Sequence, residues 1–150
     1  MNLFLDTSAV VKLYHDEEGT EKLTRFVSKH AENLFLSVSD LTAIEIHSAL
    51  LKRVRQREIG RETAQNIFLE IENDFQSYNV ITVDETVKQS SVRLIDALGV
   101  YYNLRTLDAL QLASALVANS FSMVDFFVSS DKNLLSAAEL FFAVKNPTTM

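Results

Sequence analysis

Four acidic side chains are the residues of this sequence best suited to chemistry: Asp6, Glu45, Asp108 and Asp131. Two carboxylates about 4 Å apart repel each other by about 4 kcal/mol at an effective dielectric constant near 20, so gathered acids must take up protons or bind cations. The chain has no cysteine, and its three histidines lack the spacing of metal ligands. A cation held by hard oxygen atoms is typically Mg²⁺ or Mn²⁺. Such ions activate water and stabilise the charge that builds on a phosphodiester oxygen, which is nuclease chemistry.

Two of these acids directly follow segments that are typical of buried strands. Asp6 follows the apolar run Asn2–Leu5, and Asp131 lies just beyond Phe126–Val128. Function in parallel α/β proteins collects at the carboxyl ends of the strands, so both acids are expected at one edge of a sheet. For a single Asp ahead of a helix, however, capping that helix is the more common role. The functional interpretation therefore depends on the other two acids.

Glu45 and Asp108 lie in segments with helical periodicity that are otherwise rich in apolar residues. Glu45 belongs to LTAIEIHSALL, which leaves no clearly polar face, so a carboxylate buried there needs a partner. Asp108 belongs to LDALQLASALV, where it shares a face with Gln111. The alternatives are a partly exposed Glu45 paired with Lys or Arg, and an Asp108 that is favoured only by the dipole of its helix.

Alternating apolar and helical segments indicate the elements that must position these acids. Five short runs rich in Leu, Val, Ile or Phe predict strands, and seven longer segments predict helices. The predicted strands are Asn2–Leu5, Leu34–Val38, Asn79–Val83, Phe126–Val128 and Phe141–Val144. The predicted helices are Ser8–Tyr14, Thr20–Ala31, Leu41–Glu58, Arg61–Tyr78, Glu85–Leu98, Leu107–Ala118 and Asp131–Ala138. This alternation predicts an α/β sandwich with a mostly parallel sheet.

Capping residues support several of the predicted helix ends. Thr106 is expected to cap the helix that contains Asp108, and Asp84 the helix that begins at Glu85. Gly99 is expected to end that second helix in a left-handed conformation.

The composition is that of a single globular domain. Of the 150 residues, 47% are hydrophobic and 23% charged, and only Asn146–Met150 is a candidate for disorder. The start MNLFLDTS lacks the pattern of a signal peptide or membrane anchor, and the absence of cysteine agrees with a cytoplasmic location. The net charge of −6 argues against simple nonspecific binding of nucleic acid. Gathered metal-binding carboxylates also produce an acidic total, so the charge does not exclude a nuclease.

Four sequence blocks together resemble the signature of PIN-domain ribonucleases, especially VapC-type toxins. The blocks are LFLDTSAVVKLY, LTAIEIHSAL, LRTLDALQLASAL and FVSSDKNLLSAA, and they span nearly the whole chain in the family's order. The resemblance implies one PIN domain over residues 1–150, with a three-layer α/β/α sandwich around a mostly parallel five-stranded sheet. It also implies a Mg²⁺ or Mn²⁺ site, RNA as the substrate, a small antitoxin protein as partner and a homodimer.

The resemblance also implies roles for individual residues. The matching positions are Asp6, Glu45 and Asp108 for the core acids, Asp131 for the more variable fourth acid, and Ser8 for a hydroxyl that orients the first Asp. The four acids are therefore the expected catalytic and metal-binding residues, with Ser8 in a supporting role. Many relatives carry His where this sequence has Gln111, which leaves a substrate contact at that position open.

A basic stretch is the best candidate for holding an RNA backbone, because backbone contacts come mainly from Arg and Lys. It consists of Lys52, Arg53, Arg55, Arg57 and Arg61. The alternative is a solvated helix end, since basic residues near a helix carboxyl terminus are favoured by the helix dipole.

Two other classes of function fit parts of the pattern. A Mg²⁺-dependent phosphatase or phosphoacceptor built around Asp6 would be expected to carry a second acid two positions on, as in the haloacid-dehalogenase type, and this chain has Ser8 there. A catalytically inactive PIN-like interaction module would tolerate the loss of one acid, and all four are present. The sequence therefore favours a metal-dependent endoribonuclease, and leaves open whether it is a toxin or a housekeeping nuclease.

Overall fold

A five-stranded parallel sheet runs through the middle of this computed structural model, which describes residues 1–150. The strands are β1 (Asn2–Leu5), β2 (Phe35–Ser39), β3 (Asn79–Ile81), β4 (Phe126–Val128) and β5 (Val144–Lys145). Their spatial order is β3-β2-β1-β4-β5, and every pairing is parallel. The first strand of the chain is therefore the centre of the sheet, and all of its residues are buried.

Seven α-helices cover the two faces of the sheet. They are α1 (Thr7–Tyr14), α2 (Thr20–His30), α3 (Leu41–Arg55), α4 (Arg61–Phe75), α5 (Glu85–Tyr102), α6 (Thr106–Phe121) and α7 (Lys132–Ala138). Successive side chains of a strand point to opposite faces. Leu3 and Leu5 accordingly pack in one core with α1 to α4, and Phe4 packs in a second core with α5 to α7. The expected α/β/α sandwich is thus confirmed. None of the helices combines the length and the apolar character needed to cross a membrane.

The last strand is the least accurate of the strand predictions. Phe141–Val144 was expected, whereas β5 is Val144–Lys145. Phe141 and Phe142 lie in the turn after α7, where Phe142 is buried and stacks on Phe127 with ring centroids 6.1 Å apart. This apolar run fills the core from a turn, which a hydrophobic pattern alone does not distinguish from a strand.

Several helix ends differ from the predictions because residues other than glycine stop the helices. α5 continues through Gly99 to Tyr102, and Asn103 takes the left-handed conformation expected of the glycine, with φ 52°. α3 ends three residues early, at Arg55 rather than Glu58, because Arg57 has φ 61°. α4 also ends three residues early, at Phe75.

The caps at the start of α5 and α6 were predicted with mixed success. Asp84 caps α5 as expected, and its Oδ1 accepts the N–H of Val87 at 3.0 Å. The residue ahead of α6 is Arg105 rather than Thr106, and Asp108 Oδ2 accepts the Arg105 N–H at 3.0 Å. Asp108, in the first turn of α6, therefore accepts the hydrogen bond of the backbone N–H ahead of the helix, and Thr106 is not needed as a cap.

The segment Asn146–Met150 is ordered against the start of α2, contrary to the expectation of disorder. Lys22 Nζ donates to the backbone oxygen of Thr148 at 2.8 Å. Gly19 has φ 94°, and a Cβ atom there would lie 2.7 Å from the carbonyl carbon of Pro147. Only glycine fits this approach, so the tail and the α1–α2 connection pack as one unit.

Candidate active site

A cleft of about 390 Å³ opens at the carboxyl ends of β1 and β4. Its lining residues are Asp6, Thr7, Ser8, Val11, Glu17, Glu45, Ala49, Arg53, Asp108 and Asp131. The four acids reach it from four places in the fold: directly after β1, within α3, within α6 and directly before α7. All four acids and the serine singled out from the sequence are thus brought together.

Asp6 is the most enclosed of the four acids, with 5% of its surface exposed. Its Oδ1 accepts hydrogen bonds from Ser8 Oγ at 2.7 Å and from the Ala9 N–H at 2.9 Å, and its Oδ2 accepts one from Ser129 Oγ at 2.7 Å. Burial raises the pKa of Asp6 to about 6, although these hydrogen bonds oppose the rise; the charge of Glu45 adds to it. Asp6 also caps α1 through Ala9, so capping and a place in the cleft are combined in one residue.

Glu45 is held in place by neutral donors. Its Oε2 accepts hydrogen bonds from the Thr7 hydroxyl and, at 2.8 Å, from Gln111 Nε2. Gln111 is 3% exposed, and its Nε2 also lies 3.3 Å from the Thr42 hydroxyl. Glu45 is partly exposed, as the alternative expected, but no Lys or Arg pairs with it, so the ion pair of that alternative is wrong. These bonds link α1, α3 and α6 at the floor of the cleft.

Asp108 and Asp131 each use one carboxylate oxygen to cap a helix. Asp108 Oδ2 accepts the Arg105 N–H, and Asp131 Oδ1 accepts the Asn133 N–H at 2.8 Å. Burial raises the pKa of Asp108, and the charges of Asp131 and Glu45 add to the rise. The acids therefore act on one another through their charge, as a shared site requires.

The cleft contains more acceptor atoms than the protein supplies donors for. In three of the acids, one carboxylate oxygen accepts a hydrogen bond and the other has no partner. The oxygens without a partner are Glu45 Oε1, Asp108 Oδ1 and Asp131 Oδ2. None of the three ion pairs of the protein involves one of the four acids. Nor do any three carboxylate or imidazole groups stand close enough, as arranged, to hold one ion. The donor set still fits a divalent cation, because it consists of hard oxygens whose mutual repulsion a cation would relieve.

Sequence reasoning assigned no role in the cleft to four polar residues that line it or support its acids. Thr7 follows Asp6 at the end of β1, and Ser129 directly follows β4 and lies two residues before Asp131, so their position beside strand ends was an available signal. Gln111 was noted only as a departure from the family pattern, yet it donates to Glu45. The sequence holds no signal for Glu17, which reaches the cleft from the connection between α1 and α2.

The expected basic stretch is divided by the structure. Arg53 lines the cleft and donates to Glu17 Oε2. The other members are exposed and lie outside the cleft lining: Lys52, Arg55, Arg57 and Arg61. Lys52 and Arg55 lie in the solvated last turn of α3, Arg57 lies in the turn that follows, and Arg61 begins α4.

Comparison with known proteins gives one consistent result. The chain matches the PIN domain family over residues 3–140. It is 30% identical to ribonuclease VapC3 of Pyrobaculum aerophilum over 115 residues. The aligned residues cover 77% of this chain and 82% of that protein. Its fold is similar to VapBC2 from Rickettsia felis bound to a promoter DNA fragment, with a TM-score of 0.68, 14% identity, and 97% and 98% of the two chains covered. It is also similar to VapC20 of Mycobacterium tuberculosis, a toxin that cleaves the sarcin-ricin loop, with a TM-score of 0.66, 14% identity, and 90% and 94% covered.

Proposed function

Because this chain belongs to the PIN-domain family, we propose that it is a Mg²⁺- or Mn²⁺-dependent endoribonuclease and the toxin of a toxin–antitoxin pair. One observation carries the proposal: four carboxylates from four separate elements line one cleft and have no cationic partner in the protein. The ribonuclease relative and the toxin structures of the same fold support it. The family match over residues 3–140 also supports one PIN domain over the whole chain, and it argues against the alternative of a phosphatase.

We infer that Asp6, Glu45, Asp108 and Asp131 hold the divalent cation. When bound, the cation would activate water and stabilise the charge on a phosphodiester oxygen. The free oxygens of Glu45, Asp108 and Asp131 are available as ligands without the loss of any hydrogen bond to the protein.

The surrounding polar residues fix the orientation of the carboxylates. Ser8 donates to one oxygen of Asp6 and Ser129 to the other, while Thr7 and Gln111 both donate to one oxygen of Glu45. Ligands that are oriented in advance lose little conformational freedom on binding, so these neutral donors favour a well-defined site.

The decisive experiment is an RNA cleavage assay with controlled metal content. The purified protein is incubated with total RNA in Mg²⁺, in Mn²⁺ or in EDTA, and new RNA ends are mapped by primer extension. Fragments should form with one of the ions, disappear with EDTA and return when the ion is added back. Intact RNA under both ions would contradict the proposed function.

The proposed partner is an antitoxin that inserts arginine into the cleft. Solved structures of similar fold include a toxin–antitoxin complex from Klebsiella pneumoniae, and the planar guanidinium group of arginine matches carboxylates. Co-expression with the adjacent small open reading frame should relieve growth arrest, and the two proteins should copurify with reduced ribonuclease activity. Harmless expression of an active enzyme without a partner would indicate a housekeeping nuclease instead. A homodimer and a cytoplasmic location belong to the same proposal, and the dimer is tested by light scattering.

A further inference from the structure

An ionic network of three residues borders the acidic cleft. Lys12 Nζ in α1 donates to Glu17 Oε1 at 2.6 Å, and Arg53 Nη2 in α3 donates to Oε2 of the same carboxylate. The side chains are 7% exposed for Lys12, 23% for Glu17 and 22% for Arg53. Arg53 is the one basic residue in the cleft lining.

The connection that carries Glu17 is held firmly by its neighbours. The Thr20 hydroxyl accepts the Glu17 N–H at 3.1 Å, and the Thr20 N–H donates to the Glu17 backbone oxygen at 3.0 Å. Two residues beyond Glu17, Gly19 packs directly against Pro147. The Glu17 carboxylate is therefore a fixed anchor.

The network contains more positive charge than a structural ion pair requires. Lys12 alone neutralises Glu17, and hydrogen bonds and charges of Lys12 and Arg53 hold the pKa of Glu17 below its ordinary value, although burial by itself would raise it. Arg53 adds a further positive charge beside four unpaired carboxylates. Of its five N–H donors, only one has a partner in the protein, so the rest of the planar group is free to bind an anion.

The pair Glu21–Arg25 on α2 shows the contrast. Its side chains are 85% and 76% exposed, it contains one cation for one anion, and it lies outside the cleft lining. Such surface pairs contribute little energy and hold their partners loosely. Arg53 differs from Arg25 in burial, in charge balance and in its place beside the acids.

We propose that Arg53 binds a phosphate of the RNA strand in the cleft, and that Glu17, supported by Lys12, is a positioning residue that keeps Arg53 away from the acids. This inference rests on the proposed endoribonuclease function. An unanchored arginine would pair with the nearest carboxylates and compete there with a divalent cation, since a guanidinium and a cation are attracted by the same charge. Anchored on Glu17, it supplies a positive group that the acidic cleft needs to accept a polyanion.

RNA binding tests the contact made by Arg53. In an Asp6→Asn background that prevents cleavage, fluorescence anisotropy measures the affinity for a labelled single-stranded RNA oligonucleotide over a range of salt concentrations. Arg53→Ala should weaken binding by about 10- to 100-fold, the loss of one charged hydrogen-bonded contact. It should also reduce the slope of log affinity against log salt by about 0.7, the contribution of one phosphate. Arg25→Ala is the matched control and should change neither quantity.

The cation requirement tests the positioning role of Glu17. Glu17→Gln should raise the Mg²⁺ or Mn²⁺ concentration that gives half-maximal cleavage by about tenfold, because the released Arg53 competes for the acids. The affinity for RNA should fall toward that of Arg53→Ala, because an arginine paired with the acids no longer faces the phosphate. The double variant Glu17→Gln/Arg53→Ala should restore the original ion requirement, which a merely structural role of Glu17 would not produce.

The outcomes separate this inference from the proposed function. If the wild type cleaves RNA and Arg53→Ala binds and cleaves like the wild type, the network is only structural and the inference fails while the endoribonuclease function stands. If the wild type cleaves no RNA with either ion, both fail. Thermal melting of each variant checks folding, and Arg53→Lys, which keeps the charge but lacks the planar fork, replaces Arg53→Ala if the latter unfolds. Binding by Arg53→Lys that equals the wild type in affinity would contradict recognition by the fork.

Discussion

Polar side chains have different partners at the two ends of the parallel strands. The side of the sheet where the strands begin is called the amino edge here, and the side where they end the carboxyl edge. At the amino edge, Asp125 Oδ2 accepts the Asn2 N–H at 2.6 Å, Ser37 donates to Asn2 Oδ1 at 2.9 Å, and Asn79 donates to Ser37 at 3.2 Å. This chain pairs donors with acceptors and includes a single carboxylate. At the carboxyl edge, four carboxylates converge and three of their oxygens have no partner. Buried polar side chains therefore occur at both edges, Asn2 and Ser37 at the first and Asp6 and Ser129 at the second, and the unpaired negative charge is what distinguishes the carboxyl edge.

Cavity size alone would place the active site at the amino edge, away from the acidic cleft. A cavity of about 590 Å³ lies near the amino ends of β2 and β3, where its lining includes Leu34, Phe35, Tyr78 and Asn79. It is larger than the acidic cleft, yet it contains no carboxylate. Chemistry requires groups that move protons or bind ions, so charge is the better guide in this fold.

The largest expected difference between the edges is in catalysis. Asp6→Asn keeps the shape of the side chain but removes a charge that we propose binds the metal, so RNA cleavage should fall by about 1000-fold or more while the fold persists. Asp125→Asn is the matched change at the amino edge and should cleave RNA like the wild type. RNA cleavage rates measure the activity of both variants, and circular dichroism checks that both are folded. A folded Asp6→Asn protein with full activity would remove the basis of the comparison.

Stability should respond to pH at the carboxyl edge. The pKa of Asp6 lies at about 6 in the folded protein, above its ordinary value of 3.8, so the folded state binds more protons than the unfolded state between these values. The free energy of unfolding should therefore fall as pH rises from about 4 to about 6. At pH 7, Asp6→Asn should be more stable than the wild type by up to about 3 kcal/mol, and the gain should vanish near pH 4. Urea unfolding in EDTA at several pH values checks the sign; a less stable variant at pH 7 would contradict it.

Divalent ions should stabilise the protein through the same edge. An ion that binds only the folded state adds about 2.7 kcal/mol at a concentration of 100 times its dissociation constant, so the melting temperature should rise with Mg²⁺ or Mn²⁺. Glu45→Gln or Asp108→Asn should weaken this response, and Asp125→Asn should retain it in full. Differential scanning fluorimetry provides the measurement. A wild-type melting curve that millimolar ions leave unchanged would argue against the carboxylate site.

The smallest expected effect concerns the residues that support the acids. Gln111→Met keeps the volume of the side chain but removes the amide that donates to Glu45, and Thr7 still holds the same oxygen. If Glu45 binds the metal as we propose, cleavage should fall by about tenfold, the usual effect of losing a residue that supports a metal ligand, with a stability loss of about 1 kcal/mol. Ser37→Ala at the amino edge should lose similar stability without loss of cleavage. Equal cleavage by both variants would show that Glu45 needs no support from Gln111.

The sequence predicted where the acids lie in the fold better than it predicted their hydrogen-bond partners. Asp6 and Asp131 follow parallel strands, so the sheet topology alone places them at one edge. Glu45 was singled out because its helix seemed to lack a polar face, yet its neighbour Ile44 is 68% exposed. The donors to Glu45 were not predictable, because Gln111 meets it from another helix only after folding.

Contacts between distant side chains and the ends of elements account for the remaining errors. Arg53 was one of five similar basic residues in the sequence, and only its meeting with Glu17 separates it from the others. Gly99 matched the usual pattern of a helix end, but α5 continued and Asn103 took the left-handed turn. Local propensity is a weak prior that packing overrides, so such boundaries need the structure.

The central position of β1 has a consequence for the order of events during synthesis. β1 is made well before its partner β4 and the acid Asp131, whereas β2 and β3, which lie on the other side of β1 in the sheet, are made between them. Parallel pairing over such sequence separation forms late and slowly. A growing chain therefore carries Asp6 and Glu45 long before it can bring Asp108 and Asp131 beside them. The acidic cleft that we propose as the active site can therefore assemble only after synthesis has passed Asp131, so a shorter nascent polypeptide lacks the complete site.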